Sequence, residues 1–256
     1  MTLLSKNKIK LITSLTRKKF REEENLFFAE GEKIVEDILF SGLSLVTILA
    51  TKSWIKQSGH LVSPKAEIIE CNDEEMKKVS QLKSVPPVIA VCQLPQHTFS
   101  VQNCKDSLTL VLDDIQDPGN MGTIIRLADW FGIETVIASK GSADAFNPKV
   151  VQASMGAICR VNVFYLDLPS TLTELKELQI PVYGTFLDGE NIYTQNLSKN
   201  GLLIMGNEGK GISPEVEKMV ENRIHIPSFS IQETGSESLN VAIATSIACS
   251  EFKRRI

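Results

Sequence analysis

Three short segments of this chain combine tight turns with charged and amide side chains. In residues 112–128 (LDDIQDPGNMGTIIRLA), an apolar run ends in acidic residues, turns at Pro118 and enters a helix that contains Arg126. Arg126 lies off the apolar stripe of this helix, so its guanidinium is predicted to project from the loop side rather than into the core. The stripe consists of Ile124, Leu127, Ala128 and Phe131. The free backbone N–H groups of such a helix start favour anionic groups.

The other two segments repeat this strand–turn–helix pattern. In residues 202–213 (LLIMGNEGKGIS), an apolar strand runs into a turn framed by glycines and containing Glu208. In residues 224–241 (IHIPSFSIQETGSESLNV), a short strand leads through a polar loop to Ser238, Leu239 and Asn240, which open the last helix. Such loops at strand ends are where α/β proteins bind ligands.

Several of these polar residues have a purely structural alternative. Asn120 and Ser238 are favoured helix caps, so each either caps its helix or supports an active site. Glu208 either orients Arg126 or accepts hydrogen bonds from the surrounding loops, unless it only complements the helix dipole. The alternative for Arg126 is a surface ion pair with Asp129 or a loop acid.

Together the three segments resemble the SpoU (TrmH-type) family of RNA ribose 2'-O-methyltransferases. The first family motif carries an asparagine and an arginine, the second an N/A-E-G turn and the third an S-L-N-V helix start, and all three occur here in order. Residues 20–39 (FREEENLFFAEGEKIVEDIL) and 84–91 (SVPPVIAV) resemble the small N-terminal substrate-binding domain of the family. The loop Ser228–Glu237 is longer than the family pattern.

The resemblance implies S-adenosylmethionine-dependent methyl transfer to a ribose 2'-hydroxyl of structured RNA. Ribosomal RNA is the first expected substrate and transfer RNA the second, and the alternative is a non-catalytic RNA-binding protein of the same fold. The implied catalytic residues are Arg126, Glu208, Asn120, Ser238 and Asn240. The implied cofactor-binding residues are Thr185, Gly206, Ile226 and Leu239. Gly206 is expected to let a ligand approach the backbone, because it has no Cβ.

Methyl transfer to an oxygen requires that the oxygen be placed opposite the leaving sulfur and that its proton be handled. Since a guanidinium stays protonated in proteins, Arg126 is expected to anchor a phosphate and stabilise charge developing on the 2'-oxygen. Deprotonation of the hydroxyl by the same side chain is the open alternative.

Composition excludes several classes of protein. The chain has 256 residues, 43% hydrophobic and 23% charged, and its net charge is −4. No apolar run approaches the roughly 18 residues of a membrane span, and the N-terminus has no secretory signal pattern. The five cysteines are scattered and never form a C-x-x-C pair, so we expect reduced thiols in the cytoplasm and no metal site.

The acidic motif DDIQD also has a rival interpretation. Asp113, Asp114 and Asp117 spell DDxxD, which chelates magnesium in isoprenoid synthases. That motif needs a helix to align its acids, whereas here a β-rich run precedes it and Pro118 follows. The sequence therefore disfavours this chemistry.

The N-terminus is strongly basic despite the negative net charge. It has no acidic residue before residue 22, and its cations are predicted to bind RNA phosphates. These cations are Lys6, Lys8, Lys10, Arg17, Lys18, Lys19 and Arg21. A solvated basic helix is the alternative, and removal of residues 1–21 is expected to leave the fold intact.

Strands alternating with helices predict an α/β protein with a mostly parallel sheet. We expect a small α/β domain for substrate RNA at 1–95, a linker at 96–107 and a catalytic domain at 108–256. The resemblance implies that the first domain is L30e-like and that the second is a SPOUT domain with a trefoil knot. The last helix, predicted over Ser238–Phe252, is apolar on most sides, which indicates burial against the sheet and, by the resemblance, a homodimer contact.

Overall fold

The computed structural model describes residues 4–230 and 238–254, which fall into two compact units. The first unit holds the described residues up to His97 together with Asp144–Arg160. The second holds Thr98–Ala143 together with the described residues from Val161 onward. Within the described part, no helix is long and apolar enough to cross a membrane. Most of the long loop noted above, residues 231–237, lies outside the described residues.

Helices and strands alternate along the chain as predicted. The helices are α1 (Lys6–Ser14), α2 (Lys18–Glu24), α3 (Glu32–Leu39), α4 (Lys52–Ser58), α5 (Asp73–Lys77), α6 (Pro118–Trp130), α7 (Pro148–Ser154), α8 (Leu168–Glu177), α9 (Pro214–Glu217) and α10 (Val241–Arg254). The strands are β1 (Leu26–Glu30), β2 (Leu45–Ala50), β3 (Glu67–Glu70), β4 (Val88–Gln93), β5 (Leu108–Leu112), β6 (Thr135–Ser139), β7 (Asn162–Leu166), β8 (Val182–Asn191), β9 (Gly201–Met205) and β10 (Asn222–His225).

The first unit is built on a four-stranded mixed sheet. Its strand order is β1-β4-β2-β3, with only β2 and β3 parallel. The core packs Phe28, Leu49 and Ile89 from these strands against Ile12 and Leu15, which lie in or directly after α1. The N-terminal helix is therefore part of this hydrophobic core.

Residues 144–160 follow β6 in the chain but group with the first unit. The buried Arg21 pairs with Asp144, and the rings of Phe27 and Phe146 are 4.8 Å apart. These long-range contacts leave no trace in local periodicity, so the sequence-based division at 108 did not separate this segment.

The second unit is built on a six-stranded sheet whose strands are all parallel. The strand order is β10-β8-β9-β5-β6-β7, which confirms the predicted parallel sheet. The predicted linker contains a 3-10 helix at Val101–Cys104, and Cys104 is buried in the core of this unit. Because β5 is central, the loops after β5 and β9 meet at the carboxyl edge of the sheet. The trefoil knot stays a prediction.

Candidate active site

The loop between β5 and α6 is fixed to both neighbouring strands. The backbone N–H of Asp113 donates to the carbonyl of Met205 at 2.9 Å, and its carboxylate accepts from the N–H of Ser213 at 2.7 Å. Asp114 adopts a φ of 58° and donates its N–H to the Ser139 hydroxyl at 2.9 Å. The first glycine-turn motif is thus held rigidly beside the second.

The acids of the DDxxD pattern all have structural partners. Asp113 is only 5% exposed, the Asp114 carboxylate accepts from the Gln116 amide at 3.1 Å, and Asp117 caps α6 by accepting from the N–H of Asn120 at 2.8 Å. These carboxylates are fixed by the loop itself, which argues against the isoprenoid-synthase interpretation.

The turn after β9 is organised by Asn207. Its side-chain oxygen accepts from the N–H groups of Gly209 and Lys210 at 2.9 and 3.1 Å, and its amide donates to the Asp114 carbonyl at 2.8 Å. Asn207 and Gly211 also exchange backbone hydrogen bonds, and Gly211 has a φ of 70°. Backbone of this kind favours glycine at position 211.

The prediction that Gly206 leaves room for a ligand to approach the backbone is wrong. A Cβ on Gly206 would lie 2.4 Å from the carbonyl carbon of Gly211 and 2.4 Å from the nitrogen of Ile212. The chain itself therefore occupies the space that was predicted to admit a ligand. Gly206 is needed because two stretches of one loop pack closely.

Three predicted site residues, one from each motif, meet in a single hydrogen-bonded cluster. Glu208 Oε1 accepts from the side-chain amide of Asn120 at 2.5 Å and from that of Asn240 at 2.9 Å. The Asn240 amide also lies 3.0 Å from Asn120 Oδ1. We call these residues the Asn–Glu–Asn cluster. Of the three roles open for Glu208, accepting hydrogen bonds from the loops is the one observed.

The structure also decides which residues cap the two helices. Because Asp117 caps α6, the Asn120 side chain is available to the cluster. The last helix begins at Val241, and the Asn240 side-chain oxygen accepts from the N–H groups of Ala242 and Ile243 at 3.0 and 3.3 Å. The last helix therefore begins at Val241 rather than at the predicted Ser238, and of the two alternatives for Ser238, capping this helix is not the one observed. Ser238 is exposed in the segment ahead of it.

Arg126 is exposed on α6, as predicted, although the buried stripe was misassigned. The residues that face the core are Met121, Gly122, Ile124, Ile125 and Ala128, while Leu127 and Phe131 are only half-buried. Among the described residues Arg126 has no hydrogen bond or ion pair, so neither Asp129 nor Glu208 engages it there. Its guanidinium is therefore not engaged by any described residue and is proposed to meet an anionic ligand.

A cavity of about 240 Å³ adjoins the Asn–Glu–Asn cluster. It is lined by Asp114, Ile115, Gln116, Asp117, Asn120, Asn207, Glu208, Gly209 and Val241. Polar groups dominate this lining, and two cluster residues are among them. The predicted cofactor residues do not line it.

The predicted cofactor residues are distributed along the same sheet edge. Thr185 lies on β8 and donates its hydroxyl to the Ile204 carbonyl at 3.5 Å. Gly206 follows β9, and the half-buried Ile226 follows β10, the strand on the other side of β8. Leu239, next to Asn240, is 48% exposed. Thr185 follows the last β8 residue that pairs with β9, and Gly206 and Ile226 follow β9 and β10, so these three residues lie toward the carboxyl edge of the parallel sheet.

The basic N-terminal residues are not equivalent. Lys6, Lys10, Arg17, Lys18 and Lys19 are exposed, whereas Lys8 pairs with Glu67. Arg21 is 2% exposed, pairs with Asp144 and donates to the Leu15 carbonyl at 2.7 Å. The prediction that Arg21 contacts RNA is therefore wrong. Deletion of residues 1–21 would also remove core residues, so the expectation that the fold survives it is wrong as well.

The buried thiols are poor candidates for nucleophiles. Burial raises the pKa of Cys92 and Cys249 to about 12 and that of Cys71 to about 11. Because only a thiolate attacks readily, these groups are inert at neutral pH.

A parallel α/β sheet with a polar cluster and an exposed arginine at its carboxyl edge defines a ligand-binding α/β protein of the enzyme type. The sequence pattern of the SpoU rRNA methylase family matches residues 107–250, and that of the MRM3-like substrate-binding domain matches residues 6–90. The chain belongs to the SpoU rRNA methylase family, as the three motifs predicted.

Two kinds of relative support this assignment. The Bacillus subtilis (strain 168) enzyme named 23S rRNA (guanosine(2553)-2'-O)-methyltransferase RlmP is 32% identical over 244 residues, covering 94% of this chain and 93% of that protein. A TrmH-family structure from Porphyromonas gingivalis has a TM-score of 0.90 and 42% identity, with both chains fully covered. A Sinorhizobium meliloti rRNA methyltransferase, solved with AdoMet bound, has a TM-score of 0.85 and 27% identity, covering 100% of this chain and 97% of that one.

Proposed function

We propose that this protein transfers a methyl group from S-adenosylmethionine to a ribose 2'-hydroxyl of ribosomal RNA. The observation that carries the proposal is the Asn–Glu–Asn cluster, which joins the three motifs in space. Support comes from membership of the methylase family and from the full-length likeness to a 23S rRNA 2'-O-methyltransferase.

The residues at the β8, β9 and β10 edge fit S-adenosylmethionine. About half of the Leu239 residue is accessible to solvent. Ile226, which directly follows β10, is half-buried. Both apolar side chains can therefore pack on an adenine. Thr185 and the backbone beside Gly206 supply polar groups for its ribose and amino-acid parts. When bound, the cofactor supplies the methyl group.

We assign the chain's own residues the following roles. Arg126 binds a substrate phosphate and stabilises negative charge on the 2'-oxygen, because a permanently protonated guanidinium in an exposed position suits both tasks. Asn120 and Asn240 hold the Glu208 carboxylate by charge-assisted hydrogen bonds and so keep the loops of the site in register. Ser238 lies just ahead of Asn240 and is assigned a supporting polar role at the site.

The first unit is proposed to bind the structured part of the RNA. Its exposed cations on α1 and α2, together with Arg17 between them, form the proposed phosphate-binding surface. The match of residues 6–90 to a substrate-binding domain supports this role. Within the 1–95 domain, Arg21 is excluded from this surface by its burial.

A homodimer formed through α6 and α10 is also part of the proposal. The two helices pack together, yet Trp130 is 83% exposed and Ile243 is 53% exposed on them. Large apolar side chains left accessible on adjoining helices favour a subunit contact. Ala248 of the same helix is fully buried within its own chain, so it lies outside the proposed contact. We place the protein in the cytoplasm, in keeping with cysteines that form no disulfide in the described part of the chain.

The experiment is methyl transfer from tritiated S-adenosylmethionine, with cofactor binding measured by titration calorimetry. Arg126→Ala is expected to lower the transfer rate at least about a hundredfold with binding of the cofactor and the melting temperature unchanged. Lys218→Ala, an exposed cation of the same unit, serves as the matched control and should keep full activity.

The RNA itself distinguishes the remaining alternatives. Mapping of 2'-O-methyl groups in RNA from cells with and without the protein should reveal a site lost from ribosomal RNA. Loss of a transfer RNA site would redirect the assignment, and a wild type that binds no S-adenosylmethionine would indicate a non-catalytic RNA-binding protein.

A further inference from the structure

Five consecutive residues of β8 loop out from its pairing with β10. Arg223 and Ile224 are neighbours on β10, but they pair with Gly184 and Glu190 of β8. Residues 185–189, here called the β8 loop-out, therefore have no pairing partner on β10. The loop-out begins with Thr185, one of the proposed cofactor residues.

Arg223, on the neighbouring strand β10, makes two contacts with this loop-out. Its Nη2 donates to Asp188 Oδ1 at 2.6 Å, and its Cζ lies 3.6 Å from the centroid of the Phe186 ring. Its Nη1 donates to Glu217 Oε1 at 2.6 Å, which ties the same guanidinium to α9. Only a planar guanidinium can bind two carboxylates and stack on a ring at the same time.

Other contacts fix the ends of the loop-out more than its centre. A Cβ on Gly189 would lie 2.6 Å from the backbone carbon of Ile224, so the chain returns to β10 in close contact there. His225 Nδ1 lies 3.1 Å from the Phe186 carbonyl oxygen. At the apex, Leu187 is 70% exposed, so hydrophobic burial contributes little to order in this part. The centre of the loop-out is therefore held by the contacts of Arg223 with Phe186 and Asp188, together with the packing of the Phe186 ring against the core of the second unit.

An isolated surface ion pair contributes little, and Asp188 is 76% exposed. The contacts of Arg223 differ from an isolated ion pair, because two ion pairs and a ring contact involve one guanidinium group. The Arg223 side chain is also only 37% exposed. The hydrogen bond from Arg223 also holds the pKa of the Asp188 carboxyl below its ordinary value. The arrangement favours one conformation of the loop-out.

We propose that Arg223 is a positioning residue for the cofactor site: it fixes the β8 loop-out that presents Thr185 and, through β10, the approach to Ile226. This inference rests on the proposed function, because it takes those residues to hold S-adenosylmethionine. Arg223 itself does not touch the cofactor. It lowers the conformational entropy that binding would otherwise have to remove.

The test compares Arg223→Gln with Arg223→Lys in the full-length protein. Arg223→Gln is expected to raise the Kd for S-adenosylmethionine about tenfold and to leave kcat at saturating cofactor within about threefold of wild type. Arg223→Lys should recover only part of the affinity, since an ammonium cannot hold both carboxylates in a fixed plane. Without any cofactor, hydrogen exchange of the amides in residues 185–189 should be faster in Arg223→Gln.

Lys176→Gln is the matched control, because it breaks a 3.6 Å ion pair with Glu221 that does not involve the loop-out. It should change neither Kd nor exchange in residues 185–189. Asp188→Asn removes the exposed carboxylate and provides a second variant should Arg223→Gln fail to fold; it should raise the Kd about threefold.

The outcomes separate the two claims. If the wild type binds S-adenosylmethionine and the folded Arg223 and Asp188 variants bind it equally well, the positioning role is overturned while the proposed function stands. If the wild type binds none, the proposed function fails and this inference fails with it. A variant with a lowered melting temperature but unchanged Kd and exchange would show a role in stability alone.

Discussion

At the scale of single residues, the centre of the site is one carboxylate shared by two amides. Glu208 Oε1 accepts from Asn120 and Asn240, each donated from a different motif. Neutral amides can approach a carboxylate without repulsion, and a charge-assisted hydrogen bond is stronger than a neutral one. Asn240 has a second task, because its side-chain oxygen caps α10. Its nitrogen and its oxygen therefore serve different partners.

Asn240→Asp separates these two tasks. The new carboxylate keeps the capping oxygen but loses the donor and puts a like charge beside Glu208, so transfer at pH 8 should fall about tenfold or more. Activity should partly recover toward pH 5, because one of the two carboxyl groups then takes up a proton. Rates measured from pH 5 to 8.5 check this. Asn240→Ala, which adds no charge, should lose activity without such recovery, and a flat profile for Asn240→Asp would contradict the prediction.

At the scale of elements, the N-terminal helices combine a core face with a charged face. Ile12 and Leu15 are buried with the strands of the first unit, and Arg21 is buried with Asp144. On the exposed face, Lys6 and Lys10 form no ion pair with a described residue, and Lys18 and Lys19 form weak i,i+4 pairs with acids in α2. Charge and stability can therefore be altered separately within one segment.

Two sets of substitutions test this division. Changing Lys6, Lys10, Lys18 and Lys19 together to Gln should weaken RNA binding and reduce the slope of log Kd against log salt by up to about 0.7–0.9 per lost phosphate contact. The melting temperature should be unchanged. Arg21→Ala should instead lower the free energy of unfolding by about 3–5 kcal/mol, because Asp144 is left without its buried partner. An unchanged salt slope in the lysine variant would show that this surface is merely solvated.

At the scale of the whole molecule, α10 uses one face inside its own chain and leaves another accessible. Thr245, Ala248, Cys249 and Phe252 are buried, and the Phe252 ring packs 4.9 Å from that of Tyr183. Ile243 lies on the accessible side. A charge placed at Ala248 would therefore disrupt the fold, whereas one placed at Ile243 reports on association.

Ile243→Arg should convert a dimer into a folded monomer with little methyl transfer activity, since a buried unpaired charge is strongly unfavourable in a subunit contact. Sedimentation velocity at micromolar concentration checks the mass, and the transfer assay checks activity. Thr173→Arg, an exposed position on α8, is the control and should leave both unchanged. A wild type that sediments as a monomer and methylates RNA at full rate would contradict the homodimer.

The sequence by itself determined the elements and the order of the motifs. Apolar runs and turn residues are local signals, and they predicted strands of a mostly parallel sheet and the loops that follow β5, β9 and β10. The three motifs also predicted Asn120, Glu208 and Asn240 as residues of one site, and hydrogen bonds join their side chains in the structure.

Only the tertiary structure decided which role several of the predicted site residues have. Gly206 is required by backbone packing within its own turn, Arg21 is a core residue, and Asn240 rather than Ser238 caps α10. The β8 loop-out and the contacts that Arg223 makes with it were likewise not predicted from the sequence. Each depends on contacts between residues far apart in the chain, and local periodicity carries no information about which distant groups will meet.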